Sequence, residues 1–416
     1  DHNPESEDQV SKEAMTAPEA APEAATKHWP IQMDGLFMGD RYIWMIVLIL
    51  SIFSALAVYS STGMLAYKYN QGAEHYIIKH SSLILFGIGL MWISHKIPFQ
   101  YYSGLSKILL WVSAMLLIYT LFFVRETNDA KRWIALPIIN LTFQASDFAK
   151  LSLIMYISRT LSLRQENIKD LYQGFVPIFL PVCVICLLIF PENLSTALVL
   201  FTTSILLMFI GRVSFVHLGA IAVGGILVIG TAAFILFKLP EKDMIGRMKT
   251  WKHRIESYTS NGTDVPFQVI QANIAVAKGG IFPNGPGNSM QKNFLPHPYS
   301  DYIYAIIIEE WGLLGGAIII VLYLIFLWRC IKIVMQTPKS FGALLAAGLG
   351  FSIVIQAMIN MGVAVSLLPV TGMTLPLVSM GGSSLLFISI AIGIILSVSV
   401  ENSKAMAAEK MEAAVV

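Results

Sequence analysis

Long apolar runs, separated by short polar or Gly/Pro-rich breaks, make up most of the chain beyond residue 40. Ten of them fall at approximately 42–61, 76–95, 106–124, 147–163, 173–190, 194–211, 215–237, 303–330, 340–362 and 382–400. Each is close to the roughly 20 apolar residues that a helix needs to cross the hydrocarbon core of a bilayer. The pattern predicts an all-α polytopic membrane protein of about ten transmembrane helices. The fifth and sixth runs are parted only by "PENLS", a tight hairpin tip. The seventh and eighth are parted by the long connection 238–302, and a structureless loop of that length would be unusual in a compact protein. Its stretches point instead to a partly helical lid. "PEKDMIGRMKTWKHRIESY" is charged and suited to a helix, and "SNGTD" marks a turn. "VPFQVIQANIAVAKGG" fits an amphipathic or re-entrant helix, and "GIFPNGPGNS" is a Gly/Pro loop.

Composition agrees. Of the 416 residues, 56% are hydrophobic and 13% charged, where a soluble domain carries roughly 25% charged residues. The net charge of +2 singles out no partner, and nothing in the chain suggests nucleic acid. Cys183 and Cys186 lie three apart in one apolar run and Cys330 stands alone, so all three read as buried, inert thiols. Residues 1–35 include the low-complexity stretch "TAPEAAPEAATKH" and are expected to form a disordered tail. A transmembrane domain then covers 36–403, with a short tail over 404–416.

Positive charge sets the expected orientation. Connections after even-numbered runs, together with the C-terminal tail, hold Lys96, Arg159, Arg164, Lys169, Arg212, Arg329, Lys332, Lys339 and Lys404. The other short connections hold fewer, with Arg125, Lys131 and Arg132 as exceptions. Both termini are therefore expected in the cytoplasm and the long connection 238–302 outside. Its own Lys and Arg residues carry little weight, because long loops translocate largely regardless of charge.

Several chemistries are excluded. No G-x-x-x-x-G-K-[ST] occurs, which argues against ATP as an energy source, and neither H-E-x-x-H nor G-x-S-x-G is present. His80 and His217 stand singly in apolar runs and read as packed, hydrogen-bonded side chains. Three stretches remain. In "DAKRWIALPIINLTFQASDFAKLSL" (129–153), Ser146 is placed to cap the fourth helix and Asp147 to complement its dipole. Lys150 follows three residues later on the same face. That pair is either a local salt bridge or a cation held ready for an anionic substrate, with Arg132 in the preceding loop. In "NGTDVPFQVIQANIAVAKGGIFPNGPGNSMQKNFLPHPYSD", Asp264 follows turn residues and precedes an apolar stretch, where partial desolvation would make it a better base. Gln268 and Gln271 offer amides beside it, and Lys292 a further cation; the bland alternative is a solvated turn aspartate. "MGVAVSLLPVTGMTLPLVSMGGSSLL" (361–386) is an uncharged break in which Gly381, Gly382, Ser383 and Ser384 offer donors at a helix start. Tight re-entrant packing is its alternative.

Taken together, "KRWI…FQASDFAKL", "GPGNSMQKNFLPHPYSDYIYAIIIEEWGLLGG" and "NMGVAVSLLPVTGMTLPLVSMGGSSLL", with "YSS" at 59–61, resemble the SEDS family of bacterial cell-wall polymerases, the FtsW, RodA and SpoVE group. Within it, "GNSMQKNFLP" is closer to the division branch than to the elongation branch. The resemblance implies an inverting glycosyltransferase of the bacterial inner membrane that polymerises lipid II at the septum. It implies work beside a class B penicillin-binding protein and other division-machinery membrane proteins. Asp264 matches the family's essential aspartate, although Phe267-Gln268 stands where the family has Tyr-Gln. A hydroxyl nucleophile needs one base. Pyrophosphate leaves without an acid but needs positive charge, from Lys150, Arg132 or a divalent cation, magnesium or manganese. No further cofactor is required. Ala145-Ser146-Asp147 replaces a family Pro-Ser-Glu, and Asn193 stands where the family has Asp.

Two rivals remain: a lipid II flippase, and a division scaffold that activates the penicillin-binding protein. A base carried on an outside loop favours the enzyme, since a flippase needs polar groups along its whole path. Asp301, Glu309 and Glu310 cluster in "SDYIYAIIIEEWGLLGG". Neighbouring helical residues point about 100° apart, so Glu309 and Glu310 cannot both face one substrate atom. They are expected, with Asp301, to support the site's wall.

Overall fold

The computed structural model describes residues 38–63, 72–124, 133–136, 141–240, 244, 247–259 and 265–415. The expected tail over 1–35 lies outside the described residues, as do Arg132 and Asp264.

Among the described residues, ten long helices occupy the positions of the ten apolar runs. In chain order they begin with α1 (Arg41–Ser61), α2 (Ala73–Lys96) and α3 (Phe99–Phe123). A two-stranded antiparallel hairpin follows, β1 (Trp133–Leu136) and β2 (Leu141–Gln144), and runs directly into α4 (Ala145–Leu163). Next come α5 (Val176–Ile189), entered through a π-helical turn at Leu171–Phe175, then α6 (Leu194–Ile210) and α7 (Phe215–Lys238). The long connection folds into α8 (Met248–Thr259), α9 (Phe267–Gly279) and a single 3-10 turn, Gln291–Asn293. The chain closes with α10 (Ile303–Gln336), α11 (Ser340–Ala364) and α12 (Ser383–Val415), the last continuing through the residues expected to be a tail.

Eight of these segments are long and apolar enough to cross a membrane. The exceptions are α6, apolar but only 17 residues long, and α4, whose 19 residues include Asp147, Lys150 and Arg159. The third helix starts at Phe99, seven residues before the apolar run proper. Its first turns are amphipathic rather than polar: Phe99 and Tyr102 are buried, and the Tyr102 hydroxyl donates to the Ser94 carbonyl at 2.9 Å.

Of these eight, α11 and α12 are the most enclosed, with 67% and 78% of their apolar windows buried, against 6% for α7. The site is built around this inner pair. Helix α10 packs along α11 and is interrupted at Gly312, whose φ of 69° lies in the left-handed region that glycine tolerates. A break strips neighbouring backbone groups of their intrahelical partners. Here the long connection replaces them. Asn284 and Gly285 each donate a backbone N–H to the Glu310 carbonyl at 3.0 Å, and Leu313 N–H donates to the Gly280 carbonyl at 2.9 Å. Residues 280–285 thus cross α10 at its break, and a Cβ on Gly312 would collide with the Ile281 and Phe282 backbone.

Gly312→Ala is accordingly expected to destabilise the protein by about 1–3 kcal/mol through overpacking. It should also free the connection from α10, read as a lower thermal midpoint and faster proteolysis within 280–290. An unchanged midpoint would show that the crossing is not tight.

Candidate functional site

The hairpin delivers the start of α4. Trp133 pairs with Gln144 and Leu136 with Leu141. Residue 144 leaves the ladder with its N–H turned to Ser383, whose Oγ accepts it at 3.0 Å. One hydrogen bond therefore joins the beginnings of α4 and α12. The helix begins at Ala145, so Ser146 is not its cap. Gln144 takes the capping position but its side chain accepts from none of the helix's backbone N–H groups; its Nε2 donates instead to Ser146 Oγ at 2.8 Å. Asp147 occupies the first turn, where its charge complements the helix dipole. Lys150 Nζ lies 2.8 Å from Asp147 Oδ1 and donates to Gln356 Oε1, on α11, at 3.0 Å. At the "PENLS" tip, Asn193 caps α6 by accepting the Thr196 N–H at 3.2 Å.

These elements enclose a cavity of about 220 Å³. Gln144, Asp147 and Lys150 line it from the start of α4, and Asn193 and Thr196 from the start of α6. Ser300 and Asp301 line it from just before α10, and Gly381, Gly382 and Ser384 from the start of α12. The starts of α4, α6 and α12, with the residues just before α10, thus border one polar chamber. Helix starts carry partial positive charge, the general basis of anion binding there. Thr142, Gln356, the run Gly372–Thr374 and Met380 complete the wall. A narrower extension of about 40 Å³ continues between α4, α11 and α12, with Leu151, Ile154, Ile353 and Phe387 among its apolar walls.

The uncharged segment 366–382 is pinned where it borders this chamber. Ser379 Oγ donates to the Ser300 carbonyl at 2.6 Å and accepts the Leu375 N–H at 2.8 Å, while Met380 N–H donates to the Tyr299 carbonyl at 2.9 Å. Ser300 Oγ donates to Asp301 Oδ1 at 2.9 Å. Next to it, burial first and the Asp301 charge second push the Tyr302 phenol above its ordinary value, with Arg254 opposing. The phenol stays neutral at physiological pH.

Of the residues singled out by sequence, Asp147, Lys150, Asp301 and Ser384 come together on the cavity walls, and Ser383 braces them. Lys292, Glu309 and Glu310 form a separate cluster just before the α10 break, outside the cavity walls. The Glu309 carboxylate, 2% exposed, accepts from Ser289 Oγ and from the backbone N–H groups of Met290 and Gln291. Glu310 accepts from Ser60 Oγ, which in turn receives Lys292 Nζ at 3.3 Å; that ammonium also donates to the Gly287 carbonyl at 2.7 Å. Both glutamates hold the connection to α10 and α1, so neither they nor Lys292 lines the cavity. Gln268 is half-buried at the start of α9 and also lies outside the cavity walls. His80 is packed and bonded as expected, with Nε2 2.7 Å from Ser54 Oγ. Sequence reasoning missed Thr196, Gln356 and Thr374. Gln356 has a readable signal: with Asn360 it is a polar pair four residues apart in an otherwise apolar helix.

Among the described residues, no three His, Cys, Asp or Glu side chains gather as metal ligands. The residues present nonetheless suit a magnesium-type ion, which is held by one or two carboxylates together with substrate phosphates. Asp147 and Asp301 border the same chamber, and Asp147 Oδ2 is buried without a partner. The arrangement can receive an anionic group, with an ammonium, hydroxyls and helix starts as donors.

Known proteins agree with this architecture. Stage V sporulation protein E of Bacillus subtilis is 34% identical over 369 residues, covering 86% of this chain and 96% of that one. A probable peptidoglycan glycosyltransferase FtsW of Idiomarina loihiensis is 30% identical over 78% of each chain. Among solved structures, the rod shape determining protein RodA of Thermus thermophilus matches with a TM-score of 0.63 at 23% identity, covering 88% of this chain and 97% of that one. A chain from a structure described as "Structural coordination of polymerization and crosslinking by a peptidoglycan synthase complex" matches with a TM-score of 0.70 at 22% identity, covering 88% and 98%. The profile of the FtsW/RodA/SpoVE cell cycle proteins matches residues 40–404, nearly the whole described chain, and the protein belongs to that family.

Proposed function

We propose that this protein is a peptidoglycan glycosyltransferase that polymerises lipid II into glycan strands during septal wall synthesis. One observation carries the reading: Lys150 and the starts of α4, α6 and α12 border a single polar chamber, the environment that a departing pyrophosphate needs. The relatives named as probable peptidoglycan glycosyltransferases support it. Under this reading the helix starts that form the chamber face the outside of the bacterial inner membrane, and both termini lie in the cytoplasm.

The acceptor's GlcNAc 4-hydroxyl attacks the anomeric carbon of the donor's MurNAc, with inversion. The new bond joins that carbon to O4, the bond to the pyrophosphate oxygen breaks, and undecaprenyl pyrophosphate leaves with the electron pair. Asp264, three residues before α9, takes the hydroxyl proton as general base. Lys150 and the hydroxyls of Ser383 and Ser384 serve the diphosphate, and Arg132, one residue before β1 in the chain, adds a second cation. The chamber's walls hold one ammonium, Lys150, against two carboxylates, Asp147 and Asp301. A magnesium or manganese ion held by those carboxylates would supply the positive charge that the diphosphate lacks. Gln268 and Lys292 act on the acceptor side, nearer Asp264 in the chain. A class B penicillin-binding protein is the proposed partner for crosslinking, alongside other division-machinery membrane proteins.

Purified protein with that partner should convert lipid II into glycan strands. Asp264→Ala should lower polymerisation by about 100-fold or more, the range for a lost general base, without a change in thermal midpoint. Lys150→Met should cost about 100-fold or more, as loss of a preorganised charge donor does, again in a folded protein. Lipid II translocation across proteoliposomes with no polymer formed would contradict the reading, as would normal strands from Asp264→Ala.

A further inference from the structure

Helix α11 carries two buried amides four residues apart, Gln356 and Asn360, 6% and 1% exposed. That spacing sets them one above the other on a single face. Both reach the irregular segment that joins α11 to α12, and they grip consecutive carbonyls of it. Gln356 Nε2 donates to the Thr374 carbonyl at 3.0 Å. Asn360 Nδ2 donates to the Met373 carbonyl at 2.6 Å and to the Asp301 carbonyl at 3.0 Å. Such carbonyls are costly to leave unpaired within a membrane protein, which accounts for both amides.

The second atom of each amide separates their roles. Asn360 Oδ1 is buried with no partner. Gln356 Oε1 accepts from Lys150 Nζ at 3.0 Å. A carbonyl only accepts and an ammonium only donates, so the Gln356 amide has one workable orientation, nitrogen to Thr374 and oxygen to Lys150. Lys150 has three N–H donors. Asp147 takes one and Gln356 a second, which leaves the third for a ligand in the chamber that both residues line.

We infer that Gln356 is a positioning residue: it takes a second donor of the Lys150 ammonium beside the Asp147 ion pair and so turns the remaining donor toward the substrate's diphosphate. The inference rests on the glycosyltransferase reading. Glutamine suits the task because it accepts from the ammonium without adding charge. A carboxylate there would give Lys150 two anionic partners, repel a diphosphate and lose the bond to Thr374.

The test measures binding of undecaprenyl pyrophosphate to the full chain with its penicillin-binding partner in nanodiscs, with thermal unfolding recorded in parallel. Gln356→Met should weaken binding about tenfold and Gln356→Glu more than that, consistent with loss of one charge-assisted hydrogen bond. In the Lys150→Met background, Gln356→Met should cost nothing further, because it acts through the lysine. A purely structural Gln356 would give losses that multiply in the double variant, and that result would overturn the inference. So would binding within twofold of wild type for either single variant. Should Gln356→Met fail to fold, Gln356→Asn, neutral but too short to bridge Thr374 and Lys150, takes its place in the same comparison with and without Lys150→Met. Wild-type protein that forms no polymer with its partner would overturn the underlying reading. Wild type that polymerises while the two residues act independently would overturn this inference alone.

Discussion

Irregular backbone inside a membrane protein must find its hydrogen-bond partners within the chain, and the segment between α11 and α12 is where that constraint shapes this molecule most. Its carbonyls are met one by one. Asn360 serves Met373, Gln356 serves Thr374, the Tyr323 hydroxyl serves Pro376, and Ser54 Oγ serves Val378 at 2.8 Å while lying against His80. These donors come from α1, α10 and α11, so satisfying one segment ties three helices together. The chamber results from that arrangement: pinning 372–381 fixes the start of α12 opposite the starts of α4 and α6.

The same constraint explains why so many charges near the chamber are not part of it. At the α10 break, Glu309 receives two backbone N–H groups and a hydroxyl, and the Glu310 carboxylate receives Ser60. Carboxylates with that many donors are occupied in holding chain to chain. Lys150 differs. Its two bonds, one to a carboxylate and one to a neutral amide, leave an ammonium donor beside open space.

Much of this was legible in the sequence. The apolar runs give the ten long helices, and "PENLS" gives the α5–α6 tip with Asn193 as its cap. The Asp147–Lys150 spacing gives the ion pair that the structure contains. What escaped depends on contacts between residues distant in the chain. "WIAL" and "LTFQ" are too short to announce a hairpin, and their pairing sets where α4 begins, which is why Ser146 looked like a cap. Wheel geometry could not place Glu309 against residues 289–291, because the partners are loop backbone amides without sequence signature. Gln356 meets Lys150 across 206 positions, and only the fold brings them together.

The central claim is that Lys150 and the converging helix starts receive a diphosphate. It is tested most directly by an experimental structure of the protein with its penicillin-binding partner and undecaprenyl pyrophosphate. Phosphate density is expected in the chamber between the starts of α4, α6 and α12, within hydrogen-bonding reach of Lys150 Nζ. Phosphates ordered elsewhere, with the chamber holding only water, would contradict it.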